Sequence, residues 1–239
     1  MAITDKEEGV WLLDEVYNKI NEGGIWSYDA TGGDQGKFYS WGGNDFGQLG
    51  QNSKTKRSSP VQVGTDATWS DFGMSGRKYA MGAALKGDGT LWAWGANDFG
   101  QLGQNAPNNS ARSSPVQIGT GTDWQFLGFA TQRWGAIKTD GTLWCCGRNN
   151  YGSLGQNNKT YYSSPVQIPG TSWREISFNG FAAATKTDGT LWTWGGNGNG
   201  QLGHNNTSGY SSPKQVSGTT WNHAYCGEDA AYATKYKET

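Results

Sequence analysis

The side chains able to carry chemistry are few and scattered. The chain of 239 residues has two histidines, His204 and His223, and three cysteines, Cys145, Cys146 and Cys226. A zinc site of His and Cys needs spaced ligand pairs, and a vicinal Cys145-Cys146 does not supply them. No nucleophile stands with a base and an orienting group, so the expectation is a non-enzyme without cofactor or metal. His204 replaces a Gln within a recurring turn and reads as a solvated residue there. The Asp-Gly pairs at 88–89, 140–141 and 188–189 read as turns rather than calcium loops, because Gly accepts positive φ without strain. Asn158-Lys159-Thr160 is a glycosylation sequon only in a secreted chain, and the polar start Met-Ala-Ile-Thr-Asp-Lys-Glu-Glu is no signal peptide. What remains is recognition chemistry. Arg57, Arg112, Tyr161, Tyr162 and Tyr210 fall in segments that differ between otherwise similar stretches. Tyrosine rings stack on sugars or on protein partners, and guanidinium groups fork to acids. Variable loops on a rigid scaffold are where recognition usually sits.

The elements that must position those loops repeat. Leu-Trp-Ala-Trp-Gly-Ala-Asn-Asp-Phe-Gly-Gln-Leu-Gly-Gln-Asn at 91–105 recurs, with changes, at 38–52, 143–157 and 191–205, a period of about 50 residues. Each copy is followed by Ser-Ser-Pro-x-Gln-Val/Ile (58–63, 113–118, 163–168, 211–216). A lone Trp comes next (Trp69, Trp124, Trp173, Trp221), then a small, alternating segment ending in Lys (Lys86, Lys138, Lys186, Lys235). Four short segments per period, each bounded by Gly, Pro or Asn, read as four strands. Pro60, Pro115, Pro165 and Pro213 lack an N–H and belong at strand starts or on sheet edges. One four-stranded sheet per period, repeated around an axis, is a propeller blade.

The pattern Asp-Gly-Thr-Leu-Trp-x-Trp-Gly-x-Asn-x-x-Gly-Gln-Leu-Gly resembles the repeat of the regulator of chromosome condensation family, over roughly residues 36–239. Members of that family are usually seven-bladed; this chain has four repeats. The resemblance implies an all-β fold, a small β-propeller of four four-stranded blades over residues 37–239. The nucleotide-exchange and chromatin-binding activities of the family's eukaryotic founder are not carried over. The last repeat stops at Lys235–Thr239, where others reach Asp-Gly-Thr, and the first strand, 38–41, has no preceding partner. The expectation is a ring closed within one chain, strand 38–41 fastening the last blade; the rival is a larger ring shared between chains.

Large aromatics dominate the expected core: 13 Trp, 11 Tyr and 8 Phe. Trp41, Trp94 and Trp194 share one repeat position, with Cys146 as a small filler in the third copy; Tyr39, Trp92, Trp144 and Trp192 lie two residues earlier, on the same strand face. These positions read as blade-to-blade packing. The net charge of −1 offers no basic field to displace counterions from a duplex, so nucleic acid is excluded as a partner. No apolar run approaches a membrane span.

Residues 1–36 stand outside the repeat. Thr4-Asp5-Lys6-Glu7 is a capping-box start. Leu12, Leu13, Val16, Tyr17 and Ile20 follow at helical spacing, and Asn21-Glu22-Gly23-Gly24 stops the helix. With Trp11 and Trp26 they form a candidate anchor, helical then extended, ahead of a Gly-rich linker. A short amphipathic helix cannot bury its stripe alone, so it packs on the propeller, docks into a partner or self-associates. The leader is similar to short leaders of tailed-phage structural proteins. That resemblance implies a virion component (tail fibre, appendage or capsid decoration) located in the virion, held to other virion proteins through residues 1–36 and contacting a host surface glycan or protein. The alternative is a soluble cytoplasmic protein-interaction propeller; a homo-oligomer fits either.

Overall fold

A computed structural model describes residues 36–74, 79–106 and 110–236, all within the unit Asp34–Thr239. The anchor residues Trp11, Leu12, Leu13, Val16, Tyr17, Ile20 and Trp26 lie outside them. The described residues hold sixteen strands and no helix, so the all-β reading stands, and none of their segments is a helix long and apolar enough to cross a membrane. The four sequence blocks are the four strands of a repeat. Three complete antiparallel sheets follow one another: β3(Trp69–Met74), β4(Met81–Lys86), β5(Leu91–Gly95), β6(Arg112–Gln117); β7(Trp124–Ala130), β8(Arg133–Lys138), β9(Leu143–Gly147), β10(Tyr162–Ile168); and β11(Trp173–Phe178), β12(Phe181–Lys186), β13(Leu191–Gly195), β14(Tyr210–Val216). Two half-sheets flank them, β1(Tyr39–Gly42) with β2(Arg57–Gln62), and β15(Trp221–Cys226) with β16(Ala231–Lys235).

The prolines sit inside β2, β6, β10 and β14, which are the outer edges of their sheets, so the missing N–H interrupts no central ladder. Each of these strands slips register against its neighbour beside the Trp-Gly or Cys-Gly end of the latter, as between Ala93 and Gly95. At the other end, the Asp-Gly-Thr turn joins the two middle strands. The Asp88 carboxylate accepts from the backbone N–H of Thr90 (3.0 Å) and from its hydroxyl (2.6 Å), and that hydroxyl accepts from the Trp92 indole (2.8 Å). Asp140 and Asp188 repeat the arrangement. The threonine hydroxyl holds all three carboxyls below the usual carboxylate range.

Three contacts recur at the joints between repeats. The lone-Trp backbone N–H donates to the preceding turn glycine: Trp69 to Gly36, Trp124 to Gly89, Trp173 to Gly141, Trp221 to Gly189. The backbone N–H of an Asn held at positive φ donates across to the next Ser-Ser-Pro strand: Asn52 to Ser113, Asn105 to Ser163, Asn157 to Ser211, each 2.7 Å. Third, a buried indole enters a slot in the loop of the repeat before it. Trp94 Nε1–H donates to the Gln48 carbonyl (2.8 Å), Trp134 to Gln101 (2.9 Å) and Trp194 to Ser153 (2.7 Å). Two glycines set how close the parts come. A Cβ on Gly50 would lie 2.9 Å from the Trp94 indole, and a Cβ on Gly128 would lie 2.4 Å from the Ile176 carbonyl of the next sheet.

Trp134 was not anticipated. In the flanking sheets the slot is filled from the third strand, Trp94 opposite Gly82 and Trp194 opposite Ala182. In the middle sheet the pair is exchanged across the ladder, with Trp134 on β8 opposite Cys146 on β9. The expected small filler at Cys146 is there, fully buried, because the indole reaches the same slot from the neighbouring strand.

The expectation of closure through strand 38–41 is not met. No ladder joins β1 to β16; among the described residues each pairs only within its own half-sheet. The side chains of β16 are exposed, and Trp41 and Tyr39 are 59% and 44% exposed. Among the described residues the sheets therefore form an arc with an unpaired half-sheet at each end.

The exchange of Trp134 and Cys146 is directly testable. Trp134→Ala alone costs about 3–5 kcal/mol, the range for emptying a buried aromatic site. Trp134→Ala with Cys146→Trp, which restores the pattern of the flanking sheets, recovers most of that loss in denaturant unfolding. A double variant no more stable than the single one contradicts the shared slot.

Candidate functional site

The middle sheet departs from its neighbours a second time. Register aligns Arg133 (opposite Gly147) with Met81 (opposite Gly95) and Phe181 (opposite Gly195). Met81 and Phe181 are fully buried core residues; Arg133 is 5% exposed. A guanidinium thus occupies a position that the same fold elsewhere gives to an apolar side chain, a costly placement without a specific use. The residue after the β9 glycine, Arg148, stands where the other repeats carry Gly43, Ala96 and Gly196. Both cations arise from one repeat and line one cleft of about 360 Å³ with Tyr79, Gln132, Asn150, Tyr151 and Asn179.

The local folding explains the placement. β7 turns into β8 through Thr131-Gln132, delivering Arg133 as the first residue of β8, while β9 ends at Gly147 directly opposite. Arg133 donates one terminal N–H to the Asn179 carbonyl of the following sheet. Arg148 donates to the Gln132 side-chain oxygen (2.6 Å) and lies over the Phe99 ring, 5.0 Å from its centroid. Loop aromatics continue from there: Tyr79 and Tyr161 pack edge-on to Phe99, at 5.2 and 5.7 Å. Asn149, buried, pins the loop by donating to the Asn158 and Thr160 carbonyls and accepting from Leu154 N–H.

Electrostatically the cleft is unbalanced. None of its described lining residues is acidic. Both Nε–H groups, of Arg133 and Arg148, are buried without a hydrogen-bond acceptor among the described residues. Burial, reinforced by the neighbouring Arg148 charge, pushes the Arg133 guanidinium down to about 10, still protonated at neutral pH. Two cations in a cleft walled by tyrosines have the chemistry to pair with an oxyanion.

Of the five recognition residues expected from sequence, Tyr161 alone reaches this neighbourhood. Arg57 donates to the Gln51 side chain (3.3 Å), Tyr162 accepts from Asn158, and Tyr210 accepts from Lys214 and Asn206. Arg112 is exposed at the start of β6. His204 is half-buried rather than solvated, its Nε2 3.0 Å from the Thr193 hydroxyl. It replaces a Gln side chain that in other repeats donates to the next strand's carbonyl, as Gln104 does to Gln117; burial lowers its pKa. Burial also raises all three cysteine thiols, Cys226 to about 12, so none is a ready nucleophile. No group of three or more His, Cys, Asp or Glu able to hold a metal occurs among the described residues. Arg133 and Arg148 were missed because they sit in blocks that read as framework. The available signal was the substitution of a cation for Met and Phe at one repeat position.

If Arg133 serves a ligand rather than the fold, Arg133→Met leaves the melting temperature unchanged or raises it, because Met81 already fits the same register. A loss of more than about 2 kcal/mol marks the guanidinium as structural.

Comparison with known proteins places these features. The profile of the regulator of chromosome condensation (RCC1) repeat matches residues 35–72, 88–127, 140–178 and 188–233. The chain is 27% identical over 143 residues to the ultraviolet-B receptor UVR8 of Arabidopsis thaliana, covering 58% of this chain and 31% of the receptor. It is 30% identical over 151 residues to the X-linked retinitis pigmentosa GTPase regulator homolog of Caenorhabditis elegans, covering 59% of this chain and 10% of that protein. Among solved structures it superposes on human WBSCR16 with TM-score 0.72 at 23% identity, over 85% of this chain and 54% of that one. It superposes on Saccharomyces cerevisiae Prp20p, described with its binding to Gsp1p and histones, with TM-score 0.68 at 17% identity, over 84% and 52%. The chain thus spans about half of those two structures and less than a third of the two sequence relatives. With four matched segments spread over most of its length, the chain belongs to the RCC1 repeat family.

Proposed function

We propose that this chain is a non-enzymatic, protein-interaction β-propeller whose Arg133–Arg148 cleft receives an acidic side chain of a partner protein. The observation that carries the reading is the pair of guanidinium groups sharing one cleft with no carboxylate among its described lining. A carboxylate entering it gains charge-assisted hydrogen bonds from the guanidinium groups, and the tyrosine rings cover its stem. The rest of the chain is close to neutral, so the attraction is local, favouring a single acidic group over a long polyanion.

The relatives support the interaction module over a virion component. Yeast RCC1 (Prp20) has been solved bound to Kap60, and the matched proteins include a photoreceptor and a GTPase-regulator homolog. No observation on the described residues favours a virion role.

Titration with a hexaglutamate peptide, against hexaglutamine as control, tests the proposal. The parent binds hexaglutamate at least about tenfold more tightly, and Arg148→Gln and Arg133→Met each remove most of that preference. Added salt weakens the parent and leaves the variants little changed. Equal binding of the two peptides by the parent, or an unchanged preference in both variants, contradicts it.

A further inference from the structure

The joints leave one indole without a slot and one slot without an indole. Three loops receive a tryptophan: Gln48 with Gly50 and Val63 receive Trp94, Gln101 with Gly103 and Ile118 receive Trp134, and Ser153 with Gly155 and Ile168 receive Trp194. The fourth loop presents the same parts, Gln201, Gly203 and Val216. There they line an open cleft of about 480 Å³ with Thr193, Trp221 and Ala231. Trp41, at the same repeat position as Trp94 and Trp194, is 59% exposed.

Two further contacts are unfinished at the same two places. Lys86 lies over both Trp69 and Trp92 (4.8 and 4.1 Å), Lys138 over Trp124 and Trp144, and Lys186 over Trp173 and Trp192. Lys235 lies over Trp221 alone (4.8 Å) among the described residues, while Tyr39, which holds the position of Trp92, is 44% exposed. The Asn-to-Ser bond at the joints is made three times. Its fourth instance would run from Asn205, also at positive φ, to Ser58, and is absent among the described residues. Every unfinished contact on the β15–β16 side has its complement on the β1–β2 side.

We infer that the occupant of the fourth slot is Trp41 of a second copy of this chain. The β1–β2 half-sheet of each copy completes the β15–β16 half-sheet of the other, and two arcs make one ring. The register follows from the complete sheets, where Ala182 faces Trp194 and Ala184 faces Trp192: Ala231 faces the second copy's Trp41, and Ala233 its Tyr39. The curvature favours a second copy over the chain's own first strand. The arc superposes over 85% of its length on just over half of the WBSCR16 chain, so it bends as part of a larger ring, and its own β1 and β16 are unpaired. Three whole sheets and one shared sheet per copy give an eight-bladed ring, within the range of about four to eight blades that propellers adopt. Closure removes both exposed edges. The inference is independent of the arginine cleft.

Sedimentation equilibrium of the full chain, with circular dichroism to verify folding, tests it. The parent has twice the 25.8 kDa chain mass, and Trp41→Glu and Ala231→Arg, both at exposed positions, are folded monomers with dimer affinity weakened at least about a hundredfold. Mixing the two variants restores a dimer, because one of its two junctions then combines an intact Trp41 with an intact Ala231. A monomeric parent overturns the inference, whether its Trp41 fluorescence shows burial against its own slot or exposure to water. So do a mass above two chains, dimeric single variants, or a mixture that stays monomeric.

Discussion

The structure depends on an indole that crosses from one repeat into the next. An isolated four-stranded sheet of this size buries too little to stand alone, and repeat proteins are held by the interfaces between neighbours. Three of the interfaces have the same key: a tryptophan with its ring against a loop glycine and an aliphatic residue at the end of the preceding repeat's outer strand, and its N–H on that loop's carbonyl. Burying such a ring contributes about 1.5–3 kcal/mol or more, and the hydrogen bond about 1 kcal/mol. The bond adds direction, since the carbonyl fixes the depth and rotation of the ring and so the angle between sheets. The Gly-x-Leu-Gly loop exists to present that carbonyl, with Asn44, Asn97, Asn149 and Asn197 bracing it from inside by accepting from the buried leucine N–H.

That constraint explains what the molecule tolerates. Trp134 and Cys146 exchange places because the slot recognises a ring and an N–H and is indifferent to which strand supplies them. The position at the start of the second strand holds buried Met81 and Phe181 in the flanking sheets and Arg133 in the middle one. Burial of a cation there is costly and the neighbouring Arg148 charge adds repulsion, a cost consistent with the binding role proposed for the cleft.

Much of this was legible in the sequence, for physical reasons that differ by element. The four strands per repeat were readable because Asp-Gly turns, edge prolines and alternating apolar residues are local signals. The slot tryptophans were readable because the same residue returns at the same position. Trp134 was not, since it stands where the flanking sheets have Gly82 and Ala182 while Cys146 replaces a tryptophan on the next strand, and pairing across the ladder is invisible without register. His204 was misread as solvated because its contact, the Thr193 hydroxyl, comes from a strand eleven residues earlier. Closure within the chain was misjudged because counting repeats gives the number of sheets but not the angle between them, and that angle depends on how deep each ring sits in its slot. The arginine cleft stayed hidden because its two cations sit in framework blocks; of the variable-loop residues singled out from sequence, Tyr161 alone comes near, through Phe99.

Hydrogen exchange at the tryptophan indole nitrogens reads the slots themselves. The Trp94, Trp134 and Trp194 Nε1–H groups, buried and bonded to loop carbonyls, are expected to exchange only through opening of the joints and to be the slowest of the thirteen indoles. Fast exchange at these three, or protection no greater than at the lone tryptophans Trp69, Trp124, Trp173 and Trp221, whose indole N–H groups lack acceptors among the described residues, would contradict that expectation.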